Sequence, residues 1–470
     1  MNYLRIFVAI ILFSTGLLTL GNAQNQGITM DKSDSLTLDD IIRFAIQNNP
    51  DVRNSQLDQL SNEANIKEIT SQGLPQITGS GGYNNNYALP QQIIPGEIFG
   101  QPGTLIPVKF GVQNSLSASV QMNQMIYNPS FWVGLEAART SKNLYALTTF
   151  KTKEELVYNI IQAYYQIQIT EEQRSILLNN LETMDQLIHI AQVQYEEGII
   201  KKLDVDQLKV NKINLDSEIQ GTSLGLVQLK NQLKFLMGIP QSEEISLKKD
   251  QLTVGDFAEK DELNLANNTD LRLLDIQSEL NGLQLKNIKA GYMPSLSFFV
   301  NYGWMGQTDR LFSDEEVHDI VGSGTGTFGL SLNVPIFDSF QKKHQKQQVV
   351  IERHKLENIR MKTEYFTKMN YDNAREKLDV NLALVATQKE NMELAQNLYD
   401  ITALSFKEGV APLTELITAE TSLRQSQTQY LGALLQVALA DLELIKSSGS
   451  LSESINQQYK TFKTNSNYEN

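Results

Sequence analysis

The sequence contains no cysteine among its 470 residues. That excludes disulfides, thiolate metal sites and a lipid attached through an N-terminal cysteine, although by itself it fixes no compartment. Basic residues are in deficit, with a formal net charge of −14. A nucleic-acid partner is not expected, because phosphate binding needs clustered Lys and Arg. Histidine is scarce too. His189, His318, His344 and His354 are scattered, and His344 and His354 lie 10 residues apart, too far for an i, i+4 metal pair; all four read as surface imidazoles. Asp204 and Asp206 lack the glycine and terminal glutamate of a calcium loop. No catalytic set, metal site or cofactor site emerges, and the expectation is a protein with no chemistry of its own. Beyond the amino terminus no long hydrophobic run occurs. The most apolar window, 431–445, carries Gln436, Asp441 and Glu443 and reads as one face of a packed helix.

The composition that remains is that of a folded chain, 41% apolar and 20% charged. A basic start at 1–5, an apolar core at 6–20 and the small-x-small triplet Gly21-Asn22-Ala23 read as a secretory signal peptide over 1–23. An uncleaved membrane anchor is the weaker alternative, because the apolar core is short for a span.

The 11 prolines map the rest. Proline breaks helix interiors, so long helices belong in the gaps between prolines. The widest early gap runs from Pro129 to Pro240. Within it Leu156, Ile160, Ala163 and Ile167, then Leu177, Leu181, Met184, Ile188, Ala191 and Tyr195, step 3-4-3-4, with Thr170 and Arg174 as polar breaks on the same seam. That period belongs to helices wound around one another. A helix from Pro129 to Gly198 would be about 100 Å long, since each residue rises about 1.5 Å. No compact domain accommodates such a rod. A second helix is expected over 203–237, stopped by Gly238-Ile239-Pro240.

Upstream, 37–73 reads as helical, capped by Thr37 and interrupted at Pro50. A glycine-rich strand is expected over 77–83, then a long loop over 84–109. The clearest strand follows, with Leu116, Ala118, Val120 and Met122 alternating against Ser115, Ser117, Ser119, Gln121 and Asn123 and ending at Tyr127-Asn128-Pro129. Residues 241–261 are mixed, with one short strand expected at 244–247.

The second half repeats the first. Helix is expected from Glu262 to Gly291, then a strand with Leu296, Phe298, Val300 and Tyr302 on one face. A loop over 305–326 carries Asp314-Glu315-Glu316, and a strand follows with Phe328, Leu330, Leu332, Val334 and Ile336 on one face. Phe337-Asp338 opens a second rod, in which Tyr371, Leu378, Val385, Met392, Tyr399 and Phe406 recur every seven residues; it turns at Gly409 and returns to about Ser447. Asp51 and Pro75 lie 24 positions apart, as do Asp270 and Pro294. Asn49-Pro50-Asp51-Val52-Arg53 matches Asn268-Thr269-Asp270-Leu271-Arg272. Ile126-Tyr127-Asn128 matches Ile336-Phe337-Asp338, and Tyr195-x-x-Gly198 matches Phe406-x-x-Gly409, each glycine followed six residues later by an acid, Asp204 or Glu415.

Each half supplies two strands, and four strands cannot close a barrel. Open edges are excluded from lipid, where an unpaired backbone group costs several kcal/mol. The strands nevertheless alternate as porin strands do, and Tyr83, Tyr87, Tyr127, Tyr302, Trp304 and Phe337 sit where an interfacial aromatic girdle would. A four-stranded soluble sandwich is the bland reading; enormous helical hairpins behind a signal peptide speak against it. Closure must then come from several copies of the chain.

At this point the sequence resembles the TolC family of outer-membrane efflux channels over nearly its whole mature length. The most specific motifs are the two hairpin tips, at Tyr195–Val205 and Phe406–Leu416, and the two strand-to-helix junctions. The resemblance implies a mainly α fold with a small membrane β part, four strands and two long coiled-coil hairpins per protomer in duplicated halves. Three copies would close a 12-stranded β-barrel over a 12-helix α-barrel. The expected organisation is a signal peptide 1–23, a first repeat 24–239, an equatorial linker 240–261, a second repeat 262–447 and a polar tail 448–470. The family implies an outer-membrane exit duct reaching into the periplasm, passively conducting small molecules for a periplasmic adaptor and an inner-membrane pump. Its partners would be two further copies of itself, those two proteins and outer-membrane lipid. It also implies that Asp204 and Glu415 ring the inner mouth as gate carboxylates, that Tyr195, Gly198, Phe406 and Gly409 form adaptor-facing tips, and that Tyr127 and Phe337 mark the junctions. The alternative for the two acids is a solvated first-turn carboxylate at a helix start. Ala411 stands where the family would place a basic gating partner, and Lys201 and Lys202 are the candidates to replace it. Within the fold, a type I protein-secretion duct is the alternative function. Outside it, a periplasmic coiled-coil scaffold is the alternative, and it leaves four alternating strands unexplained.

Overall fold

A computed structural model describes residues 35–250, 262–309, 320–452 and 455. The expected signal peptide, His318, the Asp314-Glu315-Glu316 run, the end of the linker and most of the tail lie outside the described residues. Helices α1 (Leu38–Asn48) and α2 (Pro50–Ser71) lead into strand β1 (Gln76–Asn85). A hairpin of β2 (Gln91–Pro95) and β3 (Leu105–Lys109) precedes β4 (Asn114–Tyr127), and α3 (Pro129–Glu196) and α4 (Lys202–Met237) form the first long hairpin. The second half follows as α5 (Thr269–Ala290), β5 (Ser295–Thr308), β6 (Val321–Asn333), α6 (Gln341–Lys407) and α7 (Leu413–Ser448).

The two long helices hold 68 and 67 residues. The proline-free gaps thus become continuous helix, and the 3-4 seam of α3 becomes its buried stripe, with Leu156, Ile160, Ala163, Ile167, Leu177, Met184 and Ala191 all buried. The leucine, isoleucine and methionine side chains among them contribute about 1.5–3 kcal/mol each when fully withdrawn from water. Tyr195 departs from the pattern. It is 40% exposed, whereas Phe406, its counterpart in the other half, is 2% exposed; near the tip the buried position of α3 shifts to Gln194.

Caps are repeated as the sequence matches require. Asn49 accepts from the N–H groups of Asp51 and Val52, and Asn268 accepts from that of Leu271, so each half starts its upper helix with the same asparagine cap. The helix expected from Glu262 therefore begins only at Thr269, preceded by a short 3-10 turn. Other expectations are corrected. The loop over 84–109 contains the β2–β3 hairpin, built on Ile and Val between prolines. The strand expected at 244–247 is a single bridge, Leu36 to Leu247. Strands β5 and β6 run to Thr308 and from Val321, so the loop expected at 305–326 is shorter and Tyr302 and Trp304 lie inside β5 rather than at its end. Conversely β6 stops at Asn333, and the second rod opens at Gln341, not at Phe337-Asp338. The segment beyond 447, expected as a polar tail, begins inside a core: Leu451 and Ile455 pack with Ile41, Ile160, Ile167 and Leu247 at mid-height of α3.

The wall of the molecule has a definite order. In the lower half α4 packs on α3, α3 on α7 and α7 on α6; in the upper half the order is α2, α3, α5, α6. The antiparallel sheet runs β1-β4-β5-β6. One flank of the chain is therefore formed by β1, α2 and α4, and the other by β6 and α6.

Candidate pore wall and hairpin gate

Antiparallel partners share a face, so the register assembles two continuous surfaces. One carries Ile77, Met122, Val300 and Phe328 in a single row, with Val120 beside Tyr302, Ala118 beside Trp304, and Phe298 beside Leu330 in adjacent rows. The other carries Thr78, Gln121, Asn301 and Thr327 in one row, with Ser119, Ser80 and Thr325 near by. No Asp, Glu, Lys or Arg occurs in β1, β4, β5 or β6. The apolar surface is uncovered: Phe328 is 78% and Ile77 68% exposed. Strands β1 and β6 each have one unpaired edge. A sheet with one greasy exposed face, one polar face and two open edges has the surfaces that a segment of a transmembrane barrel wall requires. All the helices attach at one end of it, through Ser71–Gln76, Tyr127–Pro129, Ala290–Ser295 and Asn333–Gln341. Tyr127 closes β4 directly onto Pro129, while Phe337 sits midway between β6 and α6; both rings are exposed. No described helix is long and apolar enough to cross a membrane.

The flanks below the sheet are also unsatisfied. On α4, Leu203, Val210 and Leu224 and, beside them, Ile213 and Val227 are exposed at multiples of seven residues. On α6, Leu394, Leu398, Ile401 and Leu404 are exposed. These are coiled-coil seams left exposed among the described residues.

At the far end the two tips share one geometry. Gly198 and Gly409 have φ of 77° and 74°. Ile199 N–H donates to Gln194 O at 2.8 Å and Val410 N–H to Ser405 O at 2.9 Å, while each glycine N–H donates three residues back. This is the left-handed helix stop that glycine accepts without strain. The two acids beyond are not equivalent. Asp204 accepts from Lys201 N–H at 2.9 Å and so caps α4. The position corresponding to Lys201 is Pro412, which has no N–H to give, and Glu415 stays exposed in the first turn of α7. The local capping role therefore belongs to Asp204 alone. Lys201 and Lys202 are exposed, Ala411 is half-buried, and neither lysine side chain pairs with a carboxylate among the described residues.

Bonds tie the hairpins together from the tips upward. Arg424 Nη1 on α7 meets Glu218 Oε2 on α4 at 2.7 Å, and Arg424 Nε lies 3.6 Å from Glu420 Oε1. Asn180 Nδ2 donates to Gln427 Oε1 at 3.2 Å, and Gln194 Nε2 donates to the carbonyl of Phe406 at 3.3 Å. A cavity of 280 Å³ lined by Asn179, Thr183, Tyr399 and Glu420 separates the helices here. Burial pushes the Glu420 carboxyl above the usual carboxylate range, and Arg424 partly offsets the rise. From Met184 in the cavity wall downward, Met184, Ala191, Leu208, Phe406 and Leu416 pack the four helices into one core. Sequence reading missed Glu218 and Arg424. The i, i+4 spacing of Glu420 and Arg424 was visible, but Glu218 reaches them only through the register between hairpins. Among the described residues there is no cluster of acidic, histidine or cysteine side chains able to hold a metal.

A family model described as "Outer membrane efflux protein" matches residues 41–238 and 262–450. The outer membrane protein TolC of Escherichia coli is 19% identical over 426 residues, which is 86% of this chain and 80% of that protein. Among solved structures, the channel CusC superposes with a TM-score of 0.70 at 16% identity, covering 87% of this chain and 91% of its own. The outer membrane channel CmeC of Campylobacter jejuni gives 0.68 at 14% identity, covering 94% of each.

Proposed function

Because the chain belongs to the outer membrane efflux protein family and is an outer-membrane exit duct of an efflux system, we propose that three copies build the duct. Edge β6 of each pairs with edge β1 of the next, and flank α6 docks on the neighbour's α2 and α4. Twelve strands then enclose a lumen lined by the polar rows, with the apolar rows in lipid, and twelve helices continue the lumen through the periplasm. The observation that carries this reading is the coincidence of unpaired edges in both layers on the same two flanks of the chain.

The hairpin tips close the periplasmic mouth. Glu415, free of any capping duty, contributes one carboxylate per copy to a ring that favours cations over anions. Asp204 lies at the same height but is partly spent on its helix. The tie from Arg424 to Glu218 holds the second hairpin against the first, and releasing it lets α6 and α7 swing outward. The exposed tip residues Tyr195, Gly198 and Gly409 meet a periplasmic adaptor, and an inner-membrane pump supplies the energy; Phe406 supports its tip from inside the core. The chain itself carries out no reaction in this scheme.

Planar-bilayer recording of the purified full-length protein tests the reading. Discrete conductance steps, larger in Arg424→Ala than in the parent, are expected. Gly409→Leu is expected to abolish export in cells while the assembly and its conductance persist. A non-conducting, water-soluble protein would contradict the duct assembly, and undiminished export by Gly409→Leu would contradict the role of the tip.

A further inference from the structure

Between the lower rim of the sheet and the first turn of α6 the chain passes through Ser339 and Phe340, at φ of 50° and 65°. They are the only non-glycine residues with positive φ among those described. Strain of this kind persists only where surrounding structure holds it, and it marks places where an unusual side-chain direction is needed. Here the turn sets Phe337 and Phe340 edge to face, with ring centroids 5.6 Å apart at 85°. The Lys343 ammonium lies 5.6 Å from the Phe340 centroid, so the three side chains form one patch. Ile336, Phe337 and Phe340 are all exposed, with Ile336 at 92%, and in sequence they continue the uncovered apolar face that ends at Leu330 and Leu332.

The charge changes at this level. Between Val334 and Gln348 the only acid is Asp338, and it is committed to Lys342 at 3.2 Å. Lys342 also lies over the Tyr292 ring. Lys343, His344 and Lys346 remain exposed, without an ion pair among the described residues. In a chain of net charge −14 this is a local cationic spot directly under an apolar hook. The matching junction of the first half is built differently. Asn128 there is extended, at φ −152°, and the first basic residue after it is Arg139.

We propose that the Phe337–Phe340–Lys343–Lys346 junction is a seat for an anionic phospholipid of the periplasmic leaflet, once per copy. The two rings lie against the upper acyl chain and glycerol, where aromatic side chains are favoured. Lys343 and Lys346, one turn apart, extend below and hold the phosphate and its uncompensated negative charge. A zwitterionic lipid satisfies the rings equally well but leaves less for the lysines. The inference rests on the sheet lying in the outer membrane with its helices on the periplasmic side. It adds to that position a lipid preference and a fixed depth for the barrel rim.

Native mass spectrometry of the intact detergent-solubilised assembly, titrated in turn with phosphatidylglycerol and phosphatidylcholine, tests it. The parent is expected to retain phosphatidylglycerol in preference. Lys343→Gln with Lys346→Gln is expected to weaken phosphatidylglycerol by about fivefold per lysine, with phosphatidylcholine unchanged. Phe340→Gly, which tolerates the positive φ, should leave assembly intact and weaken both lipids alike. The proposal fails if the double variant keeps its preference. It fails also if the double variant dissociates while its remaining assemblies still prefer phosphatidylglycerol, because the lysines then serve a neighbouring copy. Displacement of phosphatidylglycerol by millimolar inorganic phosphate would likewise overturn it, in favour of a free-anion site. Conductance recorded on the same samples separates the two levels: a conducting duct without lipid preference refutes the seat and leaves the duct standing.

Discussion

Val120 and Gln121 are neighbours on β4 that face opposite sides of the sheet. Val120 stands between Gly79 and Tyr302 in the apolar rows, and Gln121 between Thr78 and Asn301 in the polar rows. No helix covers either, and Val120 is 54% exposed. If the apolar face meets hydrocarbon, Val120→Arg puts a guanidinium near mid-height of the band. That costs about 2–4 kcal/mol per copy, or about 6–12 kcal/mol for a closed ring of three. Gln121→Arg leaves its charge in the aqueous lumen, where a surface change is worth within about 0.5 kcal/mol. Heat-modifiable gel migration of membrane fractions reads the assembled fraction for both. Val120→Arg should lose the assembled band, whereas Gln121→Arg should keep it. Because the strands carry no charge of their own, Gln121→Arg should also shift ion selectivity in bilayers toward anions. Equal behaviour of the two variants, or greater damage from Gln121→Arg, would refute the assignment of faces.

Three further outcomes follow from the helical part. Burial raises the Glu420 pKa, so the folded state binds that proton more tightly than the unfolded state and stability falls as pH rises through the interval above the ordinary glutamate range. Glu420→Gln should therefore raise the thermal midpoint at neutral pH, and the gain should vanish once pH drops below that range. Gly238 and Gly409 have similar positive φ, but a Cβ on Gly238 would lie 2.7 Å from the carbonyl oxygen of Asn48 whereas one on Gly409 meets nothing within 4 Å. Gly409→Ala should cost about 1–2 kcal/mol, and Gly238→Ala a further 1–3 kcal/mol or so from overlap, readable by denaturant titration. Asp204→Ala should destabilise α4 by about 1 kcal/mol through loss of its cap, while Glu415→Gln should leave stability unchanged and lower cation selectivity in bilayers.

The long elements were legible because their signals are long. A 3-4 seam between Pro129 and Gly198 has only one reading, and the duplication of asparagine caps, junctions and glycine tips fixed the order of the rest. The misreadings have local causes. The alternation in β6 starts later than the strand does, because Gly322, Gly324 and Gly326 near its beginning carry no side chains to alternate. The β2–β3 hairpin hid among prolines that edge strands tolerate. Tyr195 and Phe406 match in sequence yet differ in burial, because the packed face of α3 slips by one position at its end. Likewise Asp204 and Glu415 match, and only the N–H missing from Pro412 separates their roles. The tie between Glu218 and Arg424 depends on the register of two hairpins, which no local pattern encodes.

The absence of native cysteine allows a direct test of ring closure. A pair of cysteines in the same chain, one on the open edge of β1 and one on that of β6, oxidised in the membrane and run on a denaturing gel, reports which edges meet. Ladder formation that stops at a covalent product of three chains is the result the account predicts. Cross-links confined within one chain, or none at all across a panel of edge positions, would contradict it.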